Sequence, residues 1–146
     1  MNKPSVKIVS AVDAVKYALN HLDRYRLNDT YAAISIQDTG RFGFELTETE
    51  YCKGVLTLFF DDIEWPCDGY ELMTDEQAMQ IIDFIDKHRD VDTLLIHCYA
   101  GASRSRAVGV FAREHLGLPP VADETLFNNH VFYCLKRVAK SMKNDK

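Results

Sequence analysis

The chain has 146 residues, 47% of them apolar and 27% charged, with a formal net charge of −5. That length suits one domain with one core, and the apolar share with mixed charge excludes a disordered chain. The acidic balance argues against general nucleic-acid binding, which needs a basic footprint, and leaves any attraction for a phosphorylated partner to local charge.

Residues 1–10 contain no apolar run of signal-peptide length, and no stretch approaches a membrane span. Four cysteines at irregular spacing show neither a zinc pattern nor a disulfide framework. A reducing, cytoplasmic compartment is therefore expected, with no membrane partner.

Residues 6–9 are a β-branched run and read as a first strand. Ser10 with Asp13 forms a weak capping box, and Val12, Val15, Leu19 and Leu22 then fall on one helical face. Residues 31–36 read as a second strand. Residues 37–50 contain Gly40 and Gly43 and read as a loop or loose hairpin. Arg41, Phe42 and Phe44 there either line a pocket mouth or anchor a surface loop, the second being the commoner use of such residues.

Residues 55–60, Val-Leu-Thr-Leu-Phe-Phe, form the kind of unbroken apolar run that suits a central strand of a parallel sheet. Asp61 and Asp62 follow at once, then a turn-rich loop over 64–69. Thr74 with Gln77 is a capping box, and Ala78, Ile81, Ile82 and Ile85 mark the core face of its helix. An apolar strand end over 93–96 leads into a helix over 107–116, stopped by Gly117 and Pro119-Pro120. A last helix is expected over 124–142, with Phe127, Val131, Leu135 and Val138 inward and Lys136, Arg137, Lys140 and Lys143 on a solvated face. Alternating strands and helices give a single α/β domain, 1–146, with a mainly parallel sheet.

The chemistry concentrates in Ile96-His97-Cys98-Tyr99-Ala100-Gly101-Ala102-Ser103-Arg104-Ser105, which joins strand to helix. Successive amides of such a turn converge on one point, and the helix N-terminus adds partial positive charge there. Gly101 allows the bend, and the planar fork of Arg104 can grip two phosphate oxygens. Cys98 lies at the base of the cradle, where positive surroundings lower a thiol's pKa and make it a nucleophile.

With His97, Cys98, Gly101, Arg104 and Ser105 all in place, the stretch resembles the His-Cys-x5-Arg-Ser/Thr signature of the cysteine-based protein tyrosine and dual-specificity phosphatases. The resemblance implies a sheet of four or five strands flanked by helices, and the ends of the chain, including Asn128-Asn129-His130, resemble a small, prokaryotic-type branch of the family. It implies hydrolysis through a phosphocysteine on Cys98, with Arg104 and the backbone of Tyr99, Ala100, Gly101, Ala102 and Ser103 holding the phosphate. Ser105 resembles the hydroxyl that assists the departing thiolate, and His97 the residue that orients the loop and helps keep Cys98 ionised. No metal or cofactor is implied. The uncharged residues Tyr99, Ala100, Ala102 and Ser103 favour phosphotyrosine, with phosphoserine and phosphothreonine as the wider range, over substrates carrying several phosphates.

The general acid has three candidates, Asp61, Asp62 and Asp68. Side chains alternate along a strand, so one of Asp61 and Asp62 faces a phosphate if the 55–60 strand ends beside the signature strand. The family pattern favours Asp62, with Asp68 next. Rival assignments are a rhodanese-type sulfurtransferase, which usually lacks the Arg-Ser spacing, and a low-molecular-weight phosphatase or arsenate reductase, which places its motif near the N-terminus. A catalytically weak or inactive phosphopeptide-binding module is the rival outside enzymology.

Overall fold

Four strands lie side by side and all run the same way: β1 (Ser5–Val9), β2 (Tyr31–Gln37), β3 (Cys52–Phe59) and β4 (Thr93–His97), in the order β1-β4-β2-β3. The computed structural model describes residues 3–22, 29–121 and 126–144. Parallel neighbours need crossovers rather than tight turns. Helices α1 (Ala11–Leu22), α2 (Asp75–Lys87), α3 (Arg104–Leu116) and α4 (Asn129–Asn144) accompany the strands as an α/β domain.

The alternation of side chains along β2 divides the interior. Ala32, Ile34 and Ile36 join Leu94, Ile96 and Cys98 in the larger core, which α2, α3 and α4 cover. Tyr31 and Ala33 face the other way, with Ala14 of α1, Leu46 and Leu95. Every residue of β2 is buried, so this strand is the axis of the sheet. Its alanines suit a position where both faces are crowded.

The 55–60 run was expected to be central; β3 is instead an edge strand, paired with β2 alone. Its burial is uneven, with Leu58 buried and Phe59 48% exposed: Leu56 and Leu58 pack on the larger core and Cys52 and Val55 on the smaller one, but an edge strand has no neighbour to cover its outer side. The neighbours of the signature strand β4 are β1 and β2. Asp61 and Asp62 therefore reach the site past the end of β2.

The apolar face read from α1 is also displaced. Val12, Val15, Leu19 and Leu22 stand out from the surface, and the helix packs through Ala14, His21 and the half-buried Tyr17 and Ala18. A buried histidine replaces an aliphatic side chain because its polar atoms are met: Nδ1 pairs with the Tyr17 carbonyl at 2.8 Å and Nε2 with Asp29 at 3.0 Å.

The helix ends follow their sequence signals. The Asp13 amide donates to Ser10 Oγ, the Thr74–Gln77 capping box is formed in both directions, and Gly117 closes α3 with φ +71°. Within the described residues α4 begins at Asn129, and Asn128 caps it by accepting the Val131 amide at 3.0 Å. The expected start at 124 lies outside the described residues. Val131, Leu135 and Val138 face inward as expected. None of the four cysteines is in a disulfide, and no described helix is long and apolar enough to cross a membrane.

If β2 is the structural axis, Ile34→Ala should cost about 2–5 kcal/mol in urea unfolding, by lost burial and a residual cavity. Thr74→Ala, which removes a cap at the surface, should cost about 1 kcal/mol. An Ile34 loss no larger than the Thr74 loss would contradict that ranking.

Candidate active site

Parallel strands bring four carboxyl ends to one edge, the usual place for a ligand in an open α/β sheet. Each strand contributes there. Beyond β1 are Val9 to Ala11, beyond β2 Asp38 and Thr39, and beyond β3 Phe60, Asp61 and Asp62. From β4 comes the turn from Cys98 into α3.

That turn is tied to β1. The Ala11 amide donates to the Tyr99 carbonyl at 3.0 Å, and Gly101 takes φ +75° against the same strand end. A Cβ at Gly101 would lie 2.6 Å from the carbonyl carbon of Val9 and 2.7 Å from the Ser10 nitrogen. Only glycine fits both the angle and the approach.

Cys98 is 2% exposed. Its Sγ is 3.1 Å from Ser105 Oγ, and the amides of Gly101, Ser103 and Ser105 are directed at it. Burial by itself raises the thiol's pKa. The Ser105 hydroxyl and the Ser105, Ser103 and Gly101 amides outweigh it, holding the pKa below the ordinary thiol value. Ser103 occupies the N-cap of α3, yet its side chain makes no cap bond.

Arg104 is buried beside the thiol. Its Nη1 lies 2.7 Å from Asp38 Oδ1 and donates to the Phe60 carbonyl at 2.8 Å, so the ends of β2 and β3 both hold it. Its Nε is buried without a hydrogen-bond partner among the described residues. A buried N–H donor left over on a guanidinium is suited to an oxyanion.

His97 faces the other side of β4. Nδ1–H donates to the Cys98 carbonyl at 3.0 Å, so Nε2 accepts from the Ser35 hydroxyl at 2.6 Å. Gln37 Nε2 donates onward to Ser35 Oγ and to the Phe44 carbonyl, and the Phe44 ring stacks on the imidazole at 5.2 Å. Burial lowers the His97 pKa, and the Arg104 charge adds to this against the bond to Cys98. The ring is therefore neutral and shapes the turn through hydrogen bonds rather than through charge.

The aspartates divide by environment. Asp61 is 6% exposed and accepts from the Thr39 amide, the Thr39 hydroxyl and the Glu71 amide. Burial pushes its pKa up, but these donors and Arg104 outweigh it and hold the carboxyl below the usual range. Such a group is an ionised brace, unsuited to giving up a proton. Asp62 is exposed, and its Oδ1 accepts from Ser103 Oγ and Asn128 Nδ2, both at 2.8 Å. It stands directly against the phosphate-type turn. Asp68 is exposed in the turn that the Tyr70 amide closes on the Cys67 carbonyl.

Over Cys98 opens a cavity of about 350 Å³ lined by Val12, Val15, Phe42, Phe44 and Tyr99 among others. Arg41 lies at its rim, 5.8 Å above the Tyr99 ring and 3.7 Å from Asp38. The pocket-mouth reading of Arg41, Phe42 and Phe44 is thus the one that holds. Ser35, Gln37, Asp38 and Thr39 also belong to this site, although the sequence reading does not single them out. Their signal is faint: two polar residues at alternate positions of an apolar strand, then a polar pair where it ends.

No protein-family model matches the chain, and no curated protein matches it. Two solved structures resemble it. One, described as the crystal structure of Tk-PTP in the active form, has 15% identity and a TM-score of 0.43, the match covering 96% of this chain and 80% of that one. The other is a glycine-to-alanine mutant form of Tk-PTP, with 22% identity and a TM-score of 0.44 over 99% of this chain and 95% of that one.

The hydrogen bonds at the thiol set its reactivity. Ser105→Ala removes the largest stabilising contact, so the pH midpoint for alkylation of Cys98 by iodoacetamide should move up. Gly101→Ala should move it the same way by pushing the turn off β1. An unchanged midpoint in both would mean that these groups do not hold the thiolate.

Proposed function

We propose that the chain is a phosphomonoester hydrolase of the cysteine-dependent type, acting on phosphotyrosine and, more widely, phosphoserine and phosphothreonine in proteins. The observation that carries this reading is the convergence of the Ser105 hydroxyl and three turn amides on Cys98 Sγ, beside the spare Nε of a buried arginine. A phosphorylated protein or peptide is the partner proposed. A cytoplasmic, reducing setting suits the thiolate.

In the first step the Cys98 thiolate attacks phosphorus and the bond to the leaving oxygen breaks. Asp62 donates its proton to that oxygen, and a phosphocysteine forms. Arg104 and the amides of the turn hold the phosphoryl oxygens as charge spreads over them. In the second step water attacks phosphorus, the S–P bond breaks, and Asp62 takes the proton from the water. Ser105 Oγ, already 3.1 Å from Sγ, donates to the departing thiolate. No step needs a metal ion. Two features favour an aryl ester: the apolar lining above Cys98 and the single cation, Arg41, in that lining.

Cys98→Ser should abolish turnover while keeping phosphopeptide binding, and Arg104→Ala should lose both; steady-state kinetics with calorimetric binding checks this. Hydrolysis by Cys98→Ser would exclude the covalent route. Chelator should leave wild-type activity unchanged. Activity should fall as pH rises and the acid ionises. Asp62→Asn should flatten that alkaline limb and cost about 10²–10⁴ in kcat on poor leaving groups. A limb kept in Asp62→Asn but lost in Asp68→Asn would move the acid to Asp68.

A further inference from the structure

We propose that Asn128, together with Ser103, is a positioning residue that clamps Asp62 against the phosphate-binding turn with one carboxylate oxygen tied and the other turned to substrate. This rests on the reading of Asp62 as the acid.

Asn128 is 2% exposed, although it is polar and precedes a helix at the surface. Its side chain is used at both ends. Oδ1 accepts the Val131 amide and caps α4, while Nδ2 donates to Asp62 Oδ1 at 2.8 Å and to the Ile63 carbonyl at 3.0 Å. Its own amide is 3.3 Å from the Ser103 carbonyl. One residue thus joins three segments: the acid loop, the phosphate-type turn and the last helix. The adjacent Asn129 amide donates to Glu64 at 2.7 Å, so the acid loop is held to the N-terminus of α4 at a second point.

Ser103 shows the same bias from the other side. A serine at an N-cap ordinarily accepts from its own helix. Here the hydroxyl makes no cap bond and donates to Asp62 Oδ1 at 2.8 Å. The hydroxyl goes to the acid instead of to its own helix. Both donors meet the same oxygen, and no hydrogen bond to Oδ2 is formed among the described residues. A carboxyl held in this way can present the second oxygen without a loop rearrangement.

Asn128→Asp adds a carboxylate beside Asp62, but in Ser103→Ala and Asn128→Ala its charged surroundings stay constant. They are Asp38 and Asp61 at the strand ends, Arg41 and Tyr70 around the shared cavity, Glu64 on its own loop, and Cys98 and Arg104 in the turn. From α4, His130 is turned to the Met73 carbonyl. A change in the pH profile then reports the clamp itself.

Asn128→Asp separates the two uses of the side chain. Aspartate caps a helix as well as asparagine does, but it has no N–H to donate. Melting temperature should therefore fall less than in Asn128→Ala, which also loses the cap. Kinetics are read on phenyl phosphate, a poor leaving group, and p-nitrophenyl phosphate, a good one. In Asn128→Asp the phenyl phosphate kcat should drop on the order of tenfold or more, part of the about 10²–10⁴ an acid supplies, with little change for p-nitrophenyl phosphate. In Ser103→Ala and Asn128→Ala the alkaline limb should move to higher pH, because the carboxylate has lost a donor to its charged form; in Asn128→Asp the added carboxylate pushes it the same way, so the limb is read on the two alanine variants. Ser103→Ala, which disturbs no cap, should show the same signature. In an Asp62→Asn background Asn128→Asp should add nothing.

Equal losses on both substrates, or an unmoved limb in Asn128→Ala and Ser103→Ala, would overturn the clamp. If Asp62→Asn itself keeps the limb, the acid assignment fails instead; a limb lost in Asp62→Asn but untouched by the clamp variants rejects the clamp alone.

Discussion

A buried guanidinium has to be paired, and Arg104 is the charge around which the sheet edge is arranged. Removing an ion from water costs several kcal/mol unless the protein supplies partners in good geometry. Asp38 and the Phe60 carbonyl supply them through one nitrogen, Nη1. They come from the ends of two different strands, so the arginine locks the β2 and β3 exits to the turn after β4. Because the pairing is concentrated on Nη1, Nε is left buried with no hydrogen-bond partner among the described residues. The same contacts that make burial tolerable therefore aim the remaining donor.

The anionic groups around it are treated in three different ways. Asp61 is buried and satisfied by three donors, which fixes it as an ion and fastens the β3 exit to Thr39 and Glu71. Cys98 is buried, and short-range donors, with no help from an imidazolium at His97, hold its pKa below the ordinary thiol value. Asp62 is exposed and tied through one oxygen. Two groups are stabilised in their charged form, and the third keeps access to solvent and to protons. With Asp62 as the proposed acid, that division suits acid–base work, since a proton donor must be able to reload.

The turn was legible because its chemistry is contiguous. Cysteine, glycine, arginine and serine fall within eight positions of a strand-to-helix junction, where backbone geometry does most of the placing. The capping box at Thr74 and the stop at Gly117 were legible for the same local reason. The order of strands was not. An unbroken apolar run says that a strand packs on both faces, and an edge strand such as β3, with Leu58 in one core and Val55 against the other, produces the same string as a central one. Asp38 and Asn128 were hidden for a further reason: each acts across more than sixty positions of chain, on Arg104 and on Asp62. A polar residue in a loop carries no mark of such a partner until the fold brings it near.

The shape above the thiol narrows the substrate by physics rather than by motif. Cys98 lies at the floor of a cavity whose walls include Val12, Val15, Phe42 and Phe44, and β4 gives it almost no exposure. In the proposed reaction a phosphate is therefore carried down by a group that can itself lie against apolar and aromatic walls, where each buried Å² of apolar surface contributes about 25 cal/mol. An aromatic ring does this. A ligand with a second phosphate would bring its extra charge to walls whose one cation, Arg41, already faces Asp38 and the Tyr99 ring. The Phe42 side chain, fully exposed beside this opening, fits the same logic. Its exposure is unfavourable in water, and a flat aryl group entering the cavity gives it a surface to cover.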